Sequence, residues 1–234
     1  MTSRLSRAGR LNRGAEGDNQ TIFIARSGAP NEVRAEILKA AASAFMERGY
    51  AATSIDDVAD TLGATKGRIY HYYRSKTDIF IDIHLESLRV LLERVRPIAA
   101  RKDLKSHERL FAMCREHALT MITTVAYYKS TVVGLNRFLL SITAPYQDEA
   151  MRRVLQQRQE YEDLLAEVIA EGTAEGVLVE IDPHFATKPM LGALNWLNIW
   201  YEPPPANNAS NVEDVANALA SFCVKALMKR LPKT

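Results

Sequence analysis

The chain has 234 residues, 47% of them apolar, which is ample for one large domain or a small and a medium one and marks a globular protein. Its 30 Lys/Arg against 28 Asp/Glu give a formal charge of +2, too little to diagnose nucleic-acid binding from the sum. The distribution says more, because residues 1–76 carry twelve Lys/Arg against eight Asp/Glu while the remainder carries eighteen against twenty.

No run of about 18 apolar residues is present for a membrane span, and the N-terminus lacks the apolar core of a signal peptide. A soluble, cytoplasmic protein with no membrane partner is expected. Cys114 and Cys223 stand far apart without a CxxC pattern, and His84, His107, His117 and His184 do not fall at ligand spacing. Neither a metal, a cofactor nor a disulfide framework is expected, and both cysteines read as core residues.

Residues 1–29 show no helical or strand periodicity. They read first as a solvated tail and second as an arm whose Arg4, Arg7, Arg10 and Arg13 lie along phosphates or in a minor groove. From Pro30, Val33, Ile37, Ala41 and Phe45 recur every four residues until Gly49, which predicts a first helix. Ser54 with Asp57 forms a capping box ahead of Ile55, Val58, Ala59 and Leu62, and Gly63 ends this second helix. Thr65 caps a third, from Lys66 to about Tyr73, with Ile69 and Tyr73 facing inward.

Two short helices joined by a tight turn and braced by a longer one make a helix-turn-helix unit. Ser75 and Asp78 open a long helix running towards Pro97. Further helices are expected at about 106–125, 127–143, 146–174, 183–200 and 211–231, with breaks at Pro145, Gly176 and the proline-rich loop 201–210. The expected fold is all-α: a three-helix DNA-binding unit at 30–76, then a larger helical ligand-binding and dimerisation unit at 77–231.

The stretch from Gly63 to Lys76 contains four basic residues, three tyrosines and a histidine, and no acid. On a short helix such a segment offers cations and hydroxyls to phosphates, and Arg68 a bidentate donor to guanine. Gly67 removes a side chain where the backbone must come close.

Residues 34–79 resemble the DNA-binding domain of the TetR/AcrR family. The likeness lies above all in Gly49-Tyr-Ala-Ala-Thr-Ser-Ile-Asp-Asp-Val-Ala59 and Leu62-Gly-Ala-Thr-Lys-Gly-Arg-Ile-Tyr-His-Tyr-Tyr-Arg-Ser-Lys-Thr-Asp-Ile79. The resemblance implies phosphate contacts from Thr53 or Ser54, Thr65, Tyr70 and Lys76, and groove contacts from Lys66, Gly67, Arg68 and His71. Where the family often has His-Phe, this chain has Tyr72-Tyr73, so a phenol takes the place of a phosphate-binding imidazole and the Tyr73 hydroxyl must find a partner.

A second likeness covers residues 106–231, through Glu171-Gly-Thr-Ala-Glu-Gly176 and Leu191-Gly-Ala-Leu-Asn-Trp-Leu-Asn-Ile-Trp-Tyr-Glu-Pro203. It is similar to a subgroup that controls fatty-acid, sterol or aromatic-acid breakdown and responds to acyl-CoA thioesters. The implied effector site lies between the helices of residues 80–200, with Met113, His117, Met121, Tyr128, Phe138 and Trp196 as lining candidates. The implied homodimer uses the last two helices, whose apolar faces exceed what one neighbour covers. Leu194, Leu197, Val215, Leu219, Phe222, Cys223 and Ala226 are the expected contacts.

No nucleophile elbow, phosphate-cradling glycine loop or metal triad is present, so an enzyme is not expected. The reading that follows is a dimeric repressor bound to double-stranded DNA and released by a small molecule, an acyl-CoA thioester being the leading class. A non-specific nucleoid-type DNA binder and an activator of the same fold stay open.

Overall fold

A computed structural model of the chain describes residues 29–123, 145–202 and 210–229. The arm up to residue 28, the helix expected at 127–143 with Tyr128 and Phe138, and the prolines of 203–205 lie outside the described residues. Among the described residues the elements are all helices: α1 (Ala29–Arg48), α2 (Ile55–Leu62), α3 (Lys66–Tyr70), α4 (Lys76–Ala99), α5 (Ser106–Thr123), α6 (Pro145–Ala174), α7 (Pro183–Asn195), α8 (Leu197–Trp200) and α9 (Ser210–Leu227).

The short N-terminal helices start and stop on local chemistry. Ser54 Oγ accepts from the Asp57 N–H at 3.1 Å while the Asp57 carboxylate accepts from the Ser54 N–H at 2.8 Å, so two orphan donors of α2 are satisfied reciprocally. Gly63 ends α2 at φ +66°, a left-handed conformation in which a side chain would be strained. Ser75 Oγ caps α4 through the Asp78 N–H at 3.2 Å.

Several boundaries differ from the periodicity. α3 stops at Tyr70, and the Tyr72 N–H turns back to Ile69 O at 2.9 Å, which swings Tyr73 inward. α4 passes through the exposed Pro97 to Ala99, since a proline in the last turn removes only one helical bond. The helix expected over 183–200 breaks at Trp196, where an i to i+3 bond from Ile199 N–H to Trp196 O tightens the chain. α9 ends at Leu227 because the chain leaves it to pair with the turn after α6: Val179 N–H bonds Leu227 O at 2.9 Å and Lys229 N–H bonds Val177 O at 3.0 Å.

Two cores follow. The first joins Ile37, Ala41 and Phe45 of α1, Val58 of α2, Ile69 of α3, and Ile79, Phe80 and Ile83 of α4, and it also takes in Met151 and Val154 of α6. The second joins Leu91 and Val95 of α4 to Leu110, Met113 and Cys114 of α5, Leu165 and Ile169 of α6, and buried residues of α7 and α9. α4 thus spans both cores; its 24 residues make a rod of about 36 Å.

At the far end of α6, Gly172 lets the returning turn sit directly on the helix. A Cβ there would stand 2.5 Å from Leu178 Cδ1 and 2.8 Å from Ser106 Oγ. Beside it the buried Arg109 guanidinium bonds Ala99 O at 3.0 Å and pairs with Glu171. Arg109, with Lys102, holds the Glu171 carboxyl below the usual carboxylate range.

Candidate nucleic-acid interface

α2, the turn at Gly63 and α3 present one exposed face carrying Thr65, Lys66, Gly67, Arg68, Tyr70 and His71. Ile69 alone of α3 is buried, and it anchors the helix in the first core. Tyr70 stands out at 48% exposure, with Lys66 Nζ 5.9 Å from its ring centroid. Thr65 occupies the N-cap position of α3 without a side-chain cap bond, so its hydroxyl is not committed to the helix.

The cations of this face rest on neighbouring acids. Lys66 Nζ lies 2.8 Å from Asp56 Oδ2, and Arg68 Nη2 lies 3.0 Å from Glu36 Oε2, all four side chains being well exposed. Asp56 raises the Lys66 pKa, so the ammonium stays charged. Exposed pairs of this kind contribute little and exchange readily for another anion. The periodicity gave no sign of Glu36 or Asp56 as partners, since neither is within helical reach of its cation.

Two expected phosphate donors are engaged inside the fold instead. Lys76 Nζ donates to three backbone carbonyls, those of Tyr50 at 2.6 Å, Ala51 at 3.2 Å and Thr53 at 2.6 Å. An ammonium has three hydrogens, so none is left for a phosphate. Thr53 is buried, and its hydroxyl donates to Gly49 O at 2.8 Å or Ala44 O at 3.2 Å. Both side chains therefore hold the loop between α1 and α2. Ser54 is exposed, but its hydroxyl serves the α2 cap, donating to Asp57 Oδ2 at 2.6 Å.

The Tyr72-Tyr73 departure is resolved by the structure. Tyr73 is buried and donates to Asp82 Oδ2 at 2.7 Å; the same carboxylate pairs with Arg34 at 2.5 Å, and the Arg34 guanidinium lies 5.0 Å from the Tyr73 ring centroid. This ties the end of the α3 turn to α1 and α4. Tyr72 is half-buried with its ring against His71. Tyr72 and Tyr73 line a cleft of about 330 Å³ between the start of α4 and α6, with Arg34, Arg74, Asp78 and Gln147. Across it Gln147 Nε2 reaches Asp78 Oδ1 at 2.9 Å and Ser75 Oγ at 3.3 Å.

Residues 37–83 match the bacterial regulatory proteins of the tetR family, and residues 103–227 match the tetracyclin repressor-like C-terminal domain. The chain belongs to the tetR family. It is a transcriptional regulator of that family, built from a helix-turn-helix domain and a larger helical C-terminal domain. It is 27% identical over 186 residues to the HTH-type transcriptional repressor KstR2 of Mycolicibacterium smegmatis, a match covering 78% of this chain and 86% of the relative. The solved structure of a TetR/AcrR-family regulator from Thermobifida fusca YX-ER1 is 31% identical, with a TM-score of 0.59, covering 85% of this chain and 100% of that one. AibR, solved in complex with isovaleryl coenzyme A and operator DNA, shares the fold at 20% identity, with a TM-score of 0.65 over 81% of this chain and 97% of its own.

In this TetR-family chain the C-terminal site residues distribute differently from expectation. Met113, His117 and Met121 are buried in α5, where His117 Nδ1 lies 2.8 Å from the Tyr161 hydroxyl. Burial lowers the His117 pKa to about 4, which keeps the ring neutral. Trp196, expected to line a pocket, is 58% exposed.

Of the expected dimer contacts, Leu194, Leu197 and Cys223 are buried within the subunit and have no face to offer a partner, whereas Val215 and Leu219 are half-buried. Phe222 and Ala226 are exposed, and Ile199 and Trp200 join Phe222 and Trp196 among the exposed apolar side chains. No helix among the described residues is long and apolar enough to cross a membrane.

Proposed function

We propose that this chain is a cytoplasmic, ligand-responsive repressor that binds a near-palindromic operator as a homodimer and is released by a small molecule held in its C-terminal domain. The carrying observation is the exposed face of Thr65, Lys66, Arg68, Tyr70 and His71, acid-free in its own sequence and set on a short helix that Ile69 anchors. Lys66 and Arg68 exchange their carboxylate partners for phosphates or base edges, and the hydroxyls of Thr65, Tyr70 and Tyr72 add neutral donors. Residues 30–76 are the reading unit and 77–231 the sensing and dimerising unit.

The dimer is supported by Trp196, Ile199, Trp200 and Phe222, four large apolar side chains at 43% to 66% exposure on the last helices. That is an unusual amount of apolar surface to leave in water. A two-fold arrangement sets two reading helices about 34–36 Å apart, one turn of the duplex. The acyl-CoA class draws its support from AibR. Effector release needs differential affinity for the two states: a hundredfold loss of DNA affinity corresponds to about 2.7 kcal/mol. The contact of Gln147 with Asp78 and Ser75 carries a shift of α6 to the start of α4.

The test is binding of the purified protein to fragments from its own genomic neighbourhood with excess competitor DNA, followed by acyl-CoA thioesters and free acids. Operator-specific binding that a thioester releases is the expected result. Binding that no compound releases removes the effector from the proposal, and equal affinity for every fragment removes the repressor.

A further inference from the structure

Cys114 of α5, Met190 of α7 and Cys223 of α9 meet in the second core. Cys114 Sγ lies 3.6 Å from Met190 Sδ. The Cys114 and Cys223 side chains are hydrogen-bonded to each other, which pushes the Cys114 thiol up and draws the Cys223 thiol down. All three residues are enclosed, Cys114 at 0% exposure and Met190 and Cys223 at 4% each.

Three sulfur atoms here share too few protons. Cys114 has one S–H, directed at Met190 in one contact and at Cys223 in the other, and a thioether has no hydrogen to return. A proton satisfies one such contact at a time, whereas a cation among the three sulfurs satisfies all of them. The spacing suits an ion: metal–sulfur bonds of about 2.3 Å in a trigonal plane put the sulfurs about 4.0 Å apart, so the observed 3.6 Å needs only a small spreading.

We propose that Cys114, Met190 and Cys223 form a binding site for a soft monovalent cation, copper(I) above all, at the junction of α5, α7 and α9. The donor set decides the class. Thiolate and thioether sulfur together favour copper(I) over hard ions. Zinc takes Cys, His and carboxylate donors, almost always four in a structural site. Among the described residues no three His, Cys, Asp or Glu side chains come together to hold a metal, so zinc is not served.

Binding displaces a thiol proton and moves no electron. The Cys223 proton leaves first, because Cys114 already donates to that sulfur. A copper ion in its place keeps the group neutral, as an apolar core requires. The chain order hides such a site, since the three residues converge only when α7 and α9 pack on α5. Phe222, next to Cys223, is 66% exposed on the face proposed for dimerisation, so a filled site fixes the helix that carries that face to α5 and α7.

The experiment titrates the reduced, full-length protein, free of oxygen, into the copper(I)–bicinchoninate complex and reads the loss of its colour, with zinc(II) as the control ion. One copper(I) per chain is expected, with the ultraviolet absorption of a thiolate–copper bond and much weaker uptake of zinc. Cys114→Ala and Cys223→Ala should each lower copper affinity roughly a hundredfold, and Met190→Leu, which removes the sulfur at similar volume, roughly tenfold, with the helical circular dichroism kept. If an alanine variant fails to fold, Met190→Leu and X-ray absorption at the copper edge, which should count three sulfur neighbours, still decide. The proposal is overturned if no copper is taken up, if zinc binds as well, or if copper binding survives the loss of either cysteine or of the Met190 sulfur. Diamide that joins Cys114 to Cys223, taking two electrons and two protons from the thiols, in a protein that takes up no copper would mark a redox pair instead. DNA is absent from the assay, so failure of the regulator reading leaves the metal site standing.

Discussion

Lys66 and Lys76 belong to the same basic run, but the fold gives them different work. Lys76 sits among three carbonyls of the loop after α1, and Lys66 sits on the surface beside Asp56. Lys76→Ala should destabilise the reading unit by about 1–3 kcal/mol, through carbonyls left without a donor, and weaken DNA binding without changing the slope of log K against log salt. Lys66→Ala should flatten that slope by about one, as loss of one phosphate contact requires. Titrations at several salt concentrations separate the two. The run of residues made both lysines look alike, because carbonyls that converge only in the folded loop decide which one is spent. Tyr73 was more legible: a buried phenol in place of an apolar ring announces a need for a partner, though only the packing of α4 names Asp82. Tyr73→Phe should cost about 1–2 kcal/mol in a urea melt, with Arg34 still holding the carboxylate.

At the scale of elements, helix starts were readable where a side chain bonds its own backbone. Ser54 and Ser75 both cap within three residues, a signal that needs no tertiary structure. Helix ends fixed by distant packing were not readable. α9 stops where its chain pairs with residues 177–179, and α3 stops where Tyr73 turns towards Asp82. The boundary drawn at residue 76 marks the start of α4 but falls inside the first core, which Ile79 to Ile83 and Met151 complete. Long-range approach also gives Gly172 its meaning. Gly172→Ala places a methyl 2.5 Å from Leu178 Cδ1 and 2.8 Å from Ser106 Oγ, and the turn must move to admit it. A loss of about 1–3 kcal/mol is expected, from overpacking, against the usual gain of alanine over glycine in a helix. Thermal melts of G172A check it.

For the whole molecule, acid and assembly provide the tests. The folded pKa of Glu171 lies below its unfolded value, so its contribution is complete above about pH 4.5 and is lost as pH falls through the lowered folded value. Protonation deserts the buried Arg109. Stability should therefore decline as pH falls below about 4.5, and Glu171→Gln should flatten the decline. Urea melts across that range measure it. Assembly separates exposed from buried apolar residues on the same helices: Trp200→Glu or Phe222→Glu should yield folded monomers in sedimentation, whereas Leu194→Glu should unfold the subunit. The acids beside the reading cations matter for a protein that must search a chromosome. On the proposed reading, Asp56 and Glu36 compete with every phosphate that Lys66 and Arg68 meet, so each chance encounter along the duplex begins with an exchange that is nearly neutral. Residence on random sequence would then be shortened, and only a site that also satisfies the hydroxyls and base-edge donors would hold the protein long enough to matter.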